Sequence, residues 1–253
     1  GFGAVYKAWD TRLNSPCAVK ENFETTPEAE RQFAREASLL AGMRHSNLPV
    51  MIDHFIIPGQ GQYLVMDFVA GDDLQSILEK NAGPLDEAQV LPWFTQVCDG
   101  LNYLHSRKPP VIHRDMKPAN ILYDQYGNSF LSDFGIARLA QATSATLTGG
   151  AILGTPAYMS PEQVQGGVDI DGRSDIYSLG VILYQILAGK VPYQADTAAK
   201  LMMMHILEPV PHITDAKVEL PAAFNTVIEK AMAKNPDDRY QTTVEMAQAV
   251  ELA

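Results

Sequence analysis

The stretch that most constrains this chain is Val111-Ile112-His113-Arg114-Asp115-Met116-Lys117-Pro118-Ala119-Asn120-Ile121-Leu122. Two short apolar, β-type runs enclose a polar loop carrying a carboxylate (Asp115), two cations (Arg114 and Lys117) and an amide (Asn120), and Pro118 restricts its backbone. Packed flanks hold such a loop still, and loops of that kind commonly carry chemistry. Taken alone the pattern also describes a solvated turn, so its meaning depends on what stands elsewhere in the chain.

Upstream, Gly1-Phe2-Gly3-Ala4-Val5-Tyr6-Lys7 reads as a glycine-rich turn entering a strand, and Cys17-Ala18-Val19-Lys20 as a second strand with Ala18 and Lys20 on one face. A small residue that makes room for a ring thus lies beside an ammonium. Thr26-Pro27-Glu28 is a helix start, with a capping hydroxyl, proline at the first helical position and acid in the first turn. Phe33, Ala37 and Leu40 then recur at helical spacing, with Glu36 on the same face. A carboxylate there needs a cation, for which Lys20 is the candidate, unless it sits solvated at the stripe's edge. His45-Ser46-Asn47-Leu48 turns into a strand, and Leu64 to Val69 forms another that is expected to end at Gly71.

Val90, Phe94, Val97, Leu101 and Leu104 predict a long amphipathic helix from Asp86 to about Ser106, which Pro92 should kink or start late. His105 reads as a packing or capping residue, because no second His or Cys stands near it at metal spacing. After the polar loop, Phe130-Leu131-Ser132 runs into Asp133-Phe134-Gly135, followed by a small, hydroxyl-rich stretch over 139 to 154 that has the signature of a mobile loop. From Ser174 a helix opens that is apolar almost all round through Leu187 and should be buried, with Asp175 as its cap, as an anchor for a neighbouring loop, or as both. Asn235 to Tyr240 reads as a charged turn before a last helix over Thr242 to Ala253.

In joint order and spacing these segments resemble the eukaryotic-like (Hanks-type) Ser/Thr protein kinases, with bacterial wording in His113-Arg114-Asp115-Met116-Lys117-Pro118-Ala119-Asn120 and Gly154-Thr155-Pro156-Ala157-Tyr158-Met159-Ser160-Pro161-Glu162. The resemblance implies an α+β, bilobal fold with a β-rich N-lobe carrying one helix and a larger helical C-lobe. One domain over 1–253 is expected, divided into 1–69 and 70–253. It implies phosphoryl transfer from ATP with Mg2+, or Mn2+ as an alternative, to Ser or Thr hydroxyls of proteins.

By the same resemblance Asp115 accepts the hydroxyl proton and Lys117 neutralises the moving phosphoryl group, while Asn120 and Asp133 hold metal. Lys20 orients phosphates and pairs with Glu36. Gly3, Val5, Ala18, Met66 as gatekeeper, Asp67, Val69 and Leu122 surround the nucleotide, and Asp73 either accepts from the ribose or is a plain helix N-terminal carboxylate. Phe134 is an apolar plug expected near Leu40, Met51 and His113. Thr155 docks the acceptor, and Arg239 pairs with Glu162. Thr143, Ser144, Thr146 and Thr148 are candidate phosphosites in the activation loop, for which Arg114 offers a cation and a homodimer offers phosphorylation in trans. In this register the first two glycines of the phosphate lid, and the strand before them, precede Gly1, so the chain is expected to be a fragment.

Composition narrows the rivals. Nineteen Lys and Arg against thirty Asp and Glu give a formal net charge of −11, which disfavours nucleic acid and anionic membranes as partners. Cys17 and Cys98 are too few for a disulfide framework and suit a reducing compartment. The longest apolar stretch, Ile176 to Ala188, is too short to span a bilayer, so a cytoplasmic segment is expected, with any tether outside it. A pseudokinase usually lacks one of the residues at Lys20, Asp115 and Asp133, all of which are here. A small-molecule phosphotransferase of the aminoglycoside-kinase type lacks the Asp-Phe-Gly and Pro-Glu segments found at 133–135 and 161–162.

Overall fold

In the computed structural model, residues 3–23, 25–81, 83–133, 156–167, 170–213 and 221–253 are described, apart from the side chains of Gln32, Glu36 and Glu87. Strands β1 (Gly3–Asp10), β2 (Ser15–Asn22), β3 (Met51–Ile57) and β4 (Gly61–Asp67) form an antiparallel sheet in the order β1-β2-β4-β3. Its register sets Lys20 opposite Val5 and Leu64, and Ala18 opposite Lys7 and Met66. Directly opposed residues share a face, so Val5, Ala18, Lys20 and Met66 line the same side of the sheet.

Helix α1 (Pro27–Ala41) follows from the local sequence as expected: Thr26 Oγ1 accepts from the Ala29 N–H at 3.2 Å and Pro27 takes the first turn. Its stripe is buried at Phe33, Ala37 and Leu40 and packs on β3 and β4. Strand β4 stops at Asp67, not at Gly71. Gly71 instead opens a short strand, β5 (Gly71–Asp73), in a second antiparallel sheet with β6 (Ile121–Asp124) and β7 (Ser129–Leu131). A Cβ at position 71 would overlap the Tyr123 carbonyl, so the glycine permits a close approach of strands.

The remaining layer is helical. Helix α2 (Leu74–Lys80) follows β5, and α3 (Glu87–His105), capped by Asp86, carries Pro92 within it, so the late start is ruled out. Val90, Phe94, Val97, Leu101 and Leu104 of α3 are at most 1 % exposed. After α4 (Pro161–Val164) comes α5 (Gly172–Ala188), in which every residue from Ser174 to Tyr184 is buried, which is why its sequence is apolar on all sides. The cap of α5 is Asp171, whose carboxylate accepts from the Arg173 N–H at 2.9 Å; Asp175 lies in the first turn. Helices α6 (Ala198–Leu207), α7 (Ala223–Ala231) and α8 (Thr243–Glu251) complete the layer, with α7 against α5 and α8 against α3. Among the described residues no helix is long and apolar enough to cross a membrane.

Candidate active site

Buried Asp175 organises the catalytic loop. Its Oδ2 accepts from the His113 N–H and its Oδ1 from the Arg114 N–H, each at 2.9 Å, and Oδ2 also meets His105 Nε2 at 2.7 Å. Burial by itself would raise this carboxyl; the bond to the His105 ring, with His113 beyond it, outweighs burial and holds the pKa below the usual carboxylate range. Asp175 is therefore the anchor and Asp171 the cap, two roles that the sequence left open for one residue. Arg114 stands at φ +63°, a left-handed backbone that a non-glycine residue adopts only when its surroundings impose it. Gln163 Nε2 donates to the Arg114 carbonyl at 2.8 Å, so this residue is held through both its N–H and its C=O.

His113, fully buried, links the loop to the segment that runs from the end of β7 to Asp133. A carbonyl only accepts, so the 3.0 Å contact between His113 Nε2 and the Ser132 C=O assigns the proton to Nε2, and Nδ1 then accepts from the Asp115 N–H at 3.4 Å. Burial pushes the pKa of this imidazole down, consistent with a neutral ring. Asn120 turns its amide nitrogen to Asp115, donating to the carbonyl at 2.7 Å and to Oδ2 at 3.3 Å, and Lys117 Nζ lies 3.2 Å from the same Oδ2. Asn120 Oδ1 is left as the side chain's acceptor atom.

Across the cleft, Lys20 Nζ pairs with Asp133 Oδ1 at 2.8 Å. Burial raises the Asp133 carboxyl, but the Lys20 ammonium, with lesser help from Lys117, holds it below its ordinary value. The expected Lys20–Glu36 pair rests on a side chain outside those described, as do Phe2, Phe134, Gly135, Thr143, Ser144, Thr146, Thr148 and Thr155.

The segment Phe68–Ala70 joins the two sheets. The Asp67 N–H donates to the Val50 carbonyl at 3.0 Å, and Val69 lies in the link itself. Asp73 caps α2, with Oδ1 accepting from the Ser76 N–H at 3.0 Å and Oδ2 from the Ser76 hydroxyl at 2.7 Å. The capping reading of Asp73 therefore has its hydrogen bonds in place. Leu122 sits opposite Asp73 in the β5–β6 pair.

Below the loop, Glu162 and Arg239 form a two-pronged pair at 2.7 and 2.8 Å, reinforced by the Ser174 hydroxyl on Glu162. Burial works against the Glu162 anion, and Arg239 outweighs it, so the carboxyl titrates below its ordinary range. Ser160 stands directly before the Pro161-Glu162 segment. It caps α4 in a reciprocal box with Gln163, a signal legible in Ser160-Pro161-Glu162-Gln163.

These features define an α+β, two-lobed molecule of the protein kinase fold. The solved kinase domain of Mycobacterium tuberculosis PknI superposes with a TM-score of 0.77 at 26 % identity, covering 100 % of this chain and 91 % of that one. The chain belongs to the protein kinase domain family, whose model matches residues 1–251. Serine/threonine-protein kinase PknB of Mycobacterium leprae is 37 % identical over 97 % of this chain and 40 % of its own length. Serine/threonine-protein kinase Pkn1 of Myxococcus xanthus is 37 % identical over 100 % of this chain and 36 % of its own length. A probable serine/threonine-protein kinase of Clostridium acetobutylicum is 36 % identical over 97 % of this chain and 37 % of its own length. The chain thus spans between a third and a half of the length of these relatives.

Proposed function

We propose that the chain is the catalytic domain of a bacterial Ser/Thr protein kinase that moves the γ-phosphoryl group of ATP to Ser or Thr hydroxyls of proteins. The observation that carries this reading is the convergence of Asp115, Lys117, Asn120 and Asp133 around one loop, with Lys20 reaching the group from the sheet. The acceptor Oγ attacks the γ-phosphorus as the bond to the bridging oxygen breaks; ADP leaves, and the hydroxyl proton passes to the Asp115 carboxylate. Lys117, tied to Asp115, is placed to neutralise the equatorial oxygens of the moving group, and Lys20 to hold the α- and β-phosphates.

Asn120 Oδ1 and the Asp133 carboxylate are hard oxygen donors of the kind that Mg2+ accepts beside substrate phosphates, and Mn2+ takes the same donors. Among the described residues no cluster of three or more His, Cys, Asp or Glu forms an all-protein metal cage, which fits an ion carried in with the nucleotide. When bound, it would neutralise charge on the β- and γ-oxygens. Val5, Ala18, Met66, Val69 and Leu122 are proposed to enclose the adenine, with the Asp67 carbonyl at its edge. Phosphorylation of Thr146 or Thr148 by a second copy is the proposed route of activation, with Arg114 as the receiving cation.

A thermal-shift titration with Mg-ATP, paired with transfer of γ-label to the chain and to casein, tests the reading. Saturation at about 100 times Kd should add roughly 2.7 kcal/mol of stability, magnesium-dependent and lost in Lys20→Ala. Binding without transfer in both this chain and a version extended upstream of Gly1 would overturn the enzymatic reading in favour of a nucleotide-binding module.

A further inference from the structure

His205, in the last turn of α6, is fully buried and takes no part in the chemical step proposed above. Its ring is held on several sides. The Tyr177 hydroxyl of α5 lies 2.9 Å from Nδ1, and the rings of Tyr177 and Tyr193 meet the imidazole edge-on at 5.7 and 5.0 Å between centroids. Lys234 Nζ closes the set, donating to the His205 carbonyl at 2.8 Å and to the Tyr193 hydroxyl at 3.1 Å. The remaining edge, Nε2, faces the Ala157 carbonyl in the short turn Pro156–Tyr158. A carbonyl only accepts, so Nε2 carries the proton and Nδ1 accepts from Tyr177. The Ala157 bond is incomplete: Nε2 is a buried nitrogen without a partner at full hydrogen-bond geometry among the described residues. Leaving a buried donor unpaired is unfavourable, so a small shift that brings the Ala157 carbonyl closer is stabilised. The turn also stands beside the chemistry. It leads into α4, whose Gln163 donates to the Arg114 carbonyl one residue before Asp115, so an acceptor chain reaching Asp115 has this segment as its neighbouring wall.

Resting on the kinase reading above, we propose that His205 is a positioning residue for the protein acceptor: pinned by Tyr177, it offers Nε2–H to the Ala157 carbonyl, and that bond closes when the acceptor chain seats against the 156–158 turn. The ring itself touches neither nucleotide nor acceptor. A bond completed when the acceptor docks and kept through transfer favours ground state and transition state alike. Its loss should therefore raise KM for the acceptor and leave kcat and the KM for ATP nearly alone.

The test uses the 253-residue chain, or its upstream-extended form if only that is active, with casein as acceptor. His205→Leu removes the donor and keeps an apolar side chain, His205→Gln restores an N–H near the Nε2 position, and Tyr177→Phe removes the hydroxyl that pins the ring. Thr197→Ala serves as a control: it removes the cap of α6, whose Oγ1 accepts from the Lys200 N–H at 3.2 Å, without touching the ring. His205→Leu should raise KM for casein roughly three- to tenfold, the range of one net hydrogen bond, with kcat and KM for ATP within about twofold of wild type. Partial recovery is expected in His205→Gln, a smaller rise in Tyr177→Phe, and the wild-type KM for casein in Thr197→Ala. Saturating casein should slow amide hydrogen exchange over 157–160 in wild type and Thr197→Ala, and slow it less in His205→Leu. Equal KM for casein and equal casein-dependent exchange in His205→Leu and wild type would overturn the proposal while leaving the kinase reading standing. A rise in KM for casein in Thr197→Ala as large as that in His205→Leu would overturn it too. If His205→Leu does not fold, Tyr177→Phe decides by the same two readouts. Absence of transfer in both the chain and its extended form would overturn the kinase reading, and the proposal with it.

Discussion

The two sides of the cleft are built to different standards. On the helical side every residue of α5 from Ser174 to Tyr184 is buried, and the catalytic loop is bonded to it through Asp175 and to α4 through Gln163. On the sheet side β1 leaves Val5, Tyr6 and Trp9 58, 48 and 57 % exposed, and Lys20 meets the helical side through its pair with Asp133. Local opening should therefore cost less at β1 than at α5, because it uncovers less apolar surface. The groups proposed for the chemical step sit on the well-buried side, while most of those proposed to wrap a nucleotide sit on the other.

The largest effect that would test this division is chemical and leaves stability alone. Asp115→Asn keeps the shape of the side chain and its bond from Asn120 but removes the proposed proton acceptor, so turnover should fall roughly 10²- to 10⁴-fold. The melting temperature and the Mg-ATP shift should be unchanged. An Asp115→Asn variant, free of wild-type contamination, that kept more than about a tenth of normal turnover would remove Asp115 from its role, since general-base catalysis is worth at least 10²-fold.

The next effect is on stability. Arg239→Leu would strand Glu162, whose oxygens now receive both prongs of the guanidinium and the Ser174 hydroxyl, and losing one partner of a buried pair costs about 3–5 kcal/mol. Denaturant unfolding should show it directly. A loss under about 1 kcal/mol, the range of exposed pairs, would mean that water reaches Glu162 and that the buried platform is less closed than its geometry states. Replacing both residues with apolar ones should recover much of the loss, because the desolvation cost of both charges disappears with them.

A pH dependence also belongs to the helical side. His205 is fully buried, with Nδ1 2.9 Å from the Tyr177 hydroxyl; burial first, and the Lys234 ammonium second, press its pKa down to about 4. The unfolded chain protonates this histidine near its ordinary value of about 6.5. Between those limits the unfolded state binds more protons, so this residue subtracts stability as pH falls from about 6.5 towards about 4, by up to about 3 kcal/mol, and adds nothing further below that. In His205→Gln the slope of stability against pH across that window should flatten, measured by urea midpoints. An unchanged slope would show that the ring is already protonated or hydrated when folded.

Much of this arrangement was readable in the chain because its parts are local. The Thr26 cap, the Phe33-Ala37-Leu40 stripe and the all-round apolar α5 follow from propensity and period, and the loop residues from motif spacing. What escaped was set by partners distant in sequence. Nothing beside His105 announces Asp175, and the capping role of Asp171 competes with a more conspicuous acid in the next turn. The end of β4 was misplaced because Gly71 looks like a stop but permits strand contact with Tyr123. Ser160 and Gln163 are different: their reciprocal box is local and legible in Ser160-Pro161-Glu162-Gln163.

The smallest effect gives the closest comparison, since it uses the same pair of residue types. Glu28 and Arg31 lie one turn apart on α1, 2.5 Å from each other, with side chains 76 and 65 % exposed; Arg239 and Glu162 are 0 and 16 % exposed. Water already solvates both partners of the α1 pair, and holding two long side chains together costs rotamer freedom, so Arg31→Gln should change stability by no more than about 0.5 kcal/mol. That small difference should vanish in about 1 M salt, where the screening length falls to about 3 Å, whereas the cost of Arg239→Leu should persist because ions do not reach the buried carboxylate. If the two arginine variants showed the same cost and the same salt response, burial would not be what separates the two sides of the cleft, and the division drawn between platform and sheet would fail at its most direct point of comparison.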